Sequence, residues 1–185
     1  MQRFAADTIA PYKQGDLDGL CGVYAIINAL RLTVSGIRSL SHRECATLFE
    51  EGVELIVERN AAPALRDGID LPTWLALAKR LCASASAMTS LRLKQVRPFA
   101  GRKSVTRRAL LSELEGHVDR GLPVALHLSG AYDHFTVLIG HTDRRLNLYD
   151  SGGCRWIGKD KCGTPRSSRR HRIDPKAVTI FVIGK

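Results

Sequence analysis

A cysteine that stands between glycines, where a turn runs into a helix, is a candidate nucleophile. Cys21 stands so in QGDLDGLCGVYAIINA, residues 14–29. The free N–H groups and positive dipole end of a helix start favour the thiolate, the reactive form of the side chain. Gly19 and Gly22 are expected to leave room for a substrate backbone beside the sulfur. Gln14, seven residues upstream, is placed to offer its amide to a developing oxyanion together with the Cys21 N–H. Taken alone, Cys21 has a second and less favoured explanation as a small buried hydrophobe, the commonest fate of a free cysteine.

A thiol nucleophile needs an imidazole, and the imidazole needs a group that fixes its tautomer. Of His42, His117, His127, His134, His141 and His171, only His134 opens a strand-like run (HFTVLIG) directly after a turn. Its side chain is thereby expected at a strand mouth. His127 lies within the preceding run, near enough to line a substrate site. Asp150 closes the next run, LNLYD, before Ser-Gly-Gly. A hairpin around 142–145 would bring His134 and Asp150 to the same edge of adjacent strands. Singly, the first is a strand-end histidine and the second a turn-starting aspartate. The three together form a set that none of those separate explanations accounts for.

These residues need elements to hold them. Helices are expected at 20–32, from about 41 to 58, from Asp70, and at 107–120. Ser41 and Glu44 form a capping box before the second. Asp70 and Pro72 open the third, Thr106 or Ser104 the fourth, and Gly121 ends it. Beyond Gly121 the runs 123–129, 135–141, 146–150 and 177–183 are short, apolar and bounded by turn residues, as in antiparallel strands. Residues 158–175, rich in Lys and Arg, are expected to form an irregular loop. Helices first and strands afterwards predict an α+β fold. The chain has 185 residues, which suits one domain, 1–185, with a helical part to about 120 and a β part after it.

Composition narrows the partners. Five cysteines, at 21, 45, 82, 154 and 162, are an odd count at irregular spacing, which speaks for reduced thiols and against a disulfide framework or a zinc site. Cys45 and Cys82 are expected in the core, and Cys154 and Cys162 in loops. No run approaches the ~18 apolar residues of a membrane helix. The first 16 residues carry no signal-peptide core, so a cytoplasmic location, or export without a cleaved signal, is expected. The formal charge is +10. Residues 1–100 hold 12 Lys/Arg against 10 Asp/Glu, and 101–185 hold 16 against 8, so the excess is C-terminal. Such a surface suits an acidic protein substrate. Nucleic acid is disfavoured, since aromatics are 6% and the usual recognition motifs are missing.

Gln14, the GLCG around Cys21, the HFTVLIG begun by His134 and the YDSG around Asp150 resemble papain-like cysteine peptidases. The nearest likeness is to the double-glycine leader peptidases of bacterial bacteriocin exporters, in which a Gln precedes the Cys-Gly helix start. The strand bearing His127 resembles theirs too. The likeness spans the start of the chain and about 121–151. It departs where Leu-Cys-Gly replaces Asp-Cys-Gly, in the basic stretch after Asp150, and in the want of a transporter domain, so a leader-peptide role is not implied. The resemblance implies a papain-like fold, a helical half packed on an antiparallel sheet. It further implies a Cys21–His134–Asp150 triad acting on a protein or peptide without cofactor or metal. Papain-like folds also host deamidases, transglutaminases and acyltransferases, bacterial effectors among them. A catalytically inactive basic module that binds nucleic acid or protein is the remaining alternative.

Overall fold

Three of the longer helices begin where the sequence places a cap. In the computed structural model, which describes residues 9–15, 18–59 and 63–184, α2 (His42–Glu58) has both reciprocal bonds of the Ser41/Glu44 box. The Asp70 carboxylate accepts from Thr73 N at the head of α4 (Leu71–Thr89). Thr106 caps α5 (Arg107–Asp119) through Ala109 N. Each side chain satisfies an N–H that has no partner inside its helix. The first helix, α1 (Cys21–Val34), differs: no side chain caps it, and most of its residues are buried. A single turn, α3 (Ala64–Asp67), precedes α4.

The chain is mixed α and β, with five helices and eight strands among the described residues. The strands are β1 (Leu93–Val96), β2 (Val124–Gly130), β3 (His134–His141), β4 (Arg145–Tyr149), β5 (Trp156–Gly158), β6 (Cys162–Gly163), β7 (His171–Ile173) and β8 (Thr179–Ile183). They form one sheet in the order β1-β8-β2-β3-β4-β5, with β7 beside the end of β2 and β6 beside β7. All pairs are antiparallel except β6–β7.

Alternation along the strands divides the core in two. Ala125, Phe135, Val137 and Phe181 pack with α1, α2 and α4. Val124, Leu126, Leu128, Leu138 and Ile180 pack with α5. Neighbouring residues of β2 thus face opposite ways, as the period of two requires. The sheet lies between the two sets of helices, with α1 packed directly on β3. No helix among the described residues is long and apolar enough to cross a membrane.

Three expectations change. β1 lies inside the stretch read as helical; only its pairing with β8 defines it. The stretch 158–175 is not an irregular loop: it holds a 3-10 turn at Lys159–Lys161, then β6 and β7. Buried Cys162, His171 and Ile173 anchor it while Lys161, Arg166, Arg169 and Arg170 are exposed, so a charge-rich composition concealed an ordered segment. For the same reason Cys162 belongs to the core rather than to a loop.

Candidate active site

Cys21 is the first residue of α1, and Leu20 before it contributes no side-chain cap. The first-turn N–H groups are therefore left as donors at the sulfur's end of the helix. The entry is shaped by Asp18, whose carboxylate accepts from Gly15 N and Leu20 N, each at 3.0 Å. The chain upstream is fixed along α1 and β4. Asn28, fully buried, exchanges hydrogen bonds with the Tyr12 backbone, Arg31 donates to Ala10 O, and the Tyr149 hydroxyl donates to Ile9 O. Asp16 and Leu17, part of the turn expected before Gly19, lie outside the described residues.

His134 opens β3, and Asp150 follows the last residue of β4. The strands pair in the register Val137–Tyr149, so the histidine and aspartate meet at one edge. His134 Nε2 lies 2.9 Å from Asp150 Oδ2. The other carboxylate oxygen accepts from Gly152 N at 2.9 Å and Cys154 N at 3.0 Å. Burial alone would lower the imidazole pKa, but the hydrogen bonds with Asp150 and with Cys21 outweigh it and raise the value to about 9. With Nε2 committed to Asp150, Nδ1 is the nitrogen left to face the sulfur. Burial also acts on Asp150 and alone would raise its pKa; the His134 hydrogen bond, aided by the Cys154 amide, overcomes this and holds the carboxyl below its ordinary range. The His134 and Asp150 side chains are 12% and 1% exposed, so the ion pair is shielded from water and salt.

The pair couples stability to pH. A group whose pKa is raised on folding stabilises the fold fully below its unfolded value, and the contribution disappears as pH climbs through the folded one. For His134 that window runs from 6.5 to about 9. Asp150, held low, contributes above its ordinary range near 3.8 and loses it in acid. The melting-temperature advantage of wild type over Asp150→Asn is therefore expected to be largest near pH 5–6 and to shrink through pH 9. Thermal melts of both proteins across that range measure it, and a constant difference would contradict the coupling.

The remaining expected residues are placed as follows. Gln14 is tied to the site by its N–H, which donates to Ser151 O at 3.1 Å. Its side-chain amide donates to Asp18 O, which leaves one of its two N–H bonds free for another acceptor. The room at Gly19 and Gly22 is filled by the chain itself rather than left for substrate. A Cβ on Gly19 would lie 2.6 Å from Arg66 O and Gly68 N, and one on Gly22 would lie 2.5 Å from Ile69 Cδ1. These glycines let 65–69 close against the helix start, an approach sealed by Gly19 N donating to Leu65 O. Gly19→Ala should cost about 2–3 kcal/mol in urea unfolding, because backbone must move. Gly36→Ala, with open space at its Cβ, should change stability by less than about 0.5 kcal/mol. His127 lies within the β2–β3 hairpin: its Nε2 is 2.7 Å from Asp133 Oδ1 and its ring 4.6 Å from that of Phe135.

Four residues at the site were not foreseen. Gly152 lies over the imidazole, with its Cβ position 3.5 Å from His134 Cε1. Thr136, buried on β3, sits beside the Asp150 carboxylate. Tyr132 packs edge-on to His134 at 5.8 Å between ring centres. Trp74, from α4, stacks on Phe135 at 4.3 Å and donates from its indole to Ala177 O, which supports the strand that carries His134. The Ser-Gly-Gly after Asp150 was the one available signal: it reads as a turn, and the turn supplies the amides that hold the carboxylate. The chain matches no protein-family model and no curated protein.

Proposed function

We propose that this protein is a papain-like cysteine peptidase or isopeptidase. The observation that carries the reading is the imidazole of His134, held through Nε2 by buried Asp150 and close enough to the Cys21 thiol, at an uncapped helix start, for that thiol to help raise its pKa. His134 Nδ1 takes the thiol proton as Cys21 Sγ attacks the substrate carbonyl carbon, and the carbonyl oxygen takes up negative charge. The Cys21 N–H and the free N–H of the Gln14 amide stabilise that oxyanion. The protonated His134 gives its Nδ1 proton to the departing amine as the C–N bond breaks, leaving a thioester. Neutral His134 then takes a proton from water, whose oxygen attacks the thioester, and the acid product leaves with Cys21 restored. Asp150 keeps the neutral imidazole protonated at Nε2 throughout. The chemistry needs no cofactor, and the basic C-terminal surface favours an acidic protein substrate.

Analysis of new peptide termini in a protein mixture incubated with the enzyme tests the proposal. New termini produced by wild type and not by Cys21→Ala support peptide-bond hydrolysis. Ammonia release or amine incorporation without new termini would replace it with deamidation or transamidation at the same thiol.

A further inference from the structure

A second site is suggested on the α5 side of the sheet, in a cavity of about 350 Å³. Three chain segments form its walls, and each is closed by a backbone hydrogen bond: Arg102 N to Phe99 O, Ser167 N to Thr164 O, and Ala177 N to Asp174 O. Arg102, Lys103, Arg166 and Lys176 line it, together with Ser104 and Thr164. None of these four cations forms an ion pair with a described carboxylate, whereas Arg38, Arg66, Arg80 and Lys159 elsewhere all do. The single acidic residue of the lining, Asp174, has an oxygen occupied by the Lys176 N–H at 2.9 Å. Four like charges gathered around one concavity repel each other, and an anion in their midst reverses the sign of that interaction.

The shape selects the anion. The volume falls at the lower end of small-molecule sites, which take ligands rather than extended polymers. Two guanidinium groups offer planar forks that match phosphate oxygens, two ammonium groups add point charges, and hydroxyls add donors. Part of the frame is fixed before any ligand arrives. Phe99 is buried, with the Arg102 guanidinium 5.2 Å above its ring, and Arg97 holds the Lys176 carbonyl. We propose that this cavity binds a small molecule carrying a chain of phosphate groups, independently of the thiol chemistry.

Titration calorimetry of the full chain with sodium tripolyphosphate at ~0.15 M salt tests this, with thermal melting alongside. Saturable one-to-one binding is expected, and at about 100 times Kd the melting temperature should rise by about 5–10 °C. Arg102→Gln/Arg166→Gln should weaken binding at least about tenfold without lowering the unliganded melting temperature. Arg43→Gln/Arg144→Gln removes the same charge from exposed positions outside the cavity and should bind as wild type does. Equal weakening in both double variants would overturn the proposal in favour of diffuse charge attraction. So would an equal response to sulfate at matched ionic strength, or tighter binding of a hexaglutamate peptide than of tripolyphosphate. ATP separates the two sources of such a chain: equal affinity assigns recognition to the phosphates alone, and tighter binding to a nucleotide, both in accord with the site.

Discussion

Cys21→Ala is expected to lower kcat/KM about 10⁵–10⁶-fold, the scale on which removal of a nucleophile acts when the rest of its catalytic group stays in place. What remains is whatever oxyanion donors and binding achieve without a covalent step. No other thiol can take over. Burial pushes the thiols of Cys82 and Cys162 up to about 11. Burial likewise raises Cys45, and burial with the nearby Asp150 carboxylate raises Cys154. A thiol raised in this way carries little thiolate at neutral pH. Brief labelling with iodoacetamide-alkyne at pH 7 should therefore concentrate on Cys21 and vanish in Cys21→Ala. The fold should persist, because the substitution removes one sulfur and leaves α1 with a better helix former. Matching circular dichroism and melting curves would establish this. Unchanged turnover in a folded Cys21→Ala protein would eliminate the thiol mechanism outright.

That prediction rests on residues whose significance was readable from their order along the chain. The helices were legible because their starts are local: Ser41 with Glu44, Asp70 with Pro72, and Thr106 each satisfy an N–H within three residues. The central strands were legible because turn residues bound their apolar runs. β1 was not, since LKQV has one buried residue and no visible alternation; its identity comes from β8 at the other end of the chain. β6 and β7, of two and three residues, are too short to show any period, and the surrounding cations suggested solvent.

The site divides along the same line. Cys21, His134 and Asp150 stand at the boundaries of legible elements, so their meeting followed from a hairpin and a helix start. The space at Gly19 and Gly22 is taken by 65–69, a segment distant in sequence and invisible to a local rule. The Gln14 amide was expected at the sulfur, and the loop geometry that also engages it with Asp18 O depends on Asp18 accepting from both sides of its own turn. Short-range chemistry was readable; close approaches between remote segments were not.

Asp150→Asn is expected to reduce kcat about 10²–10⁴-fold with KM little changed, for a reason set by the two faces of the carboxylate. Oδ1 accepts from Gly152 N and Cys154 N, while Oδ2 meets His134 Nε2. An asparagine has one oxygen for these two duties. If that oxygen stays with the two amides, the side-chain NH₂ faces Nε2, and neutral His134 must carry its proton on Nδ1 instead. An imidazole with Nδ1 protonated cannot accept a proton from the thiol or from the deacylating water, and this is the wrong-tautomer defect. If the side chain flips, its NH₂ points at two backbone N–H groups, and each donor left without an acceptor costs about 1–3 kcal/mol. Neither arrangement restores the native one. The alkaline limb of the rate profile, expected near pH 9 from His134 in the wild type, should fall toward the ordinary histidine range, since the hydrogen bond that His134 donates to Asp150 is the main influence raising that value. Rate against pH for both proteins reads the two effects together. A variant with wild-type kcat and an unmoved alkaline limb would show that Asp150 does not orient His134, whereas a lower kcat with an unmoved limb would reduce Asp150 to a scaffold for the turn at Gly152.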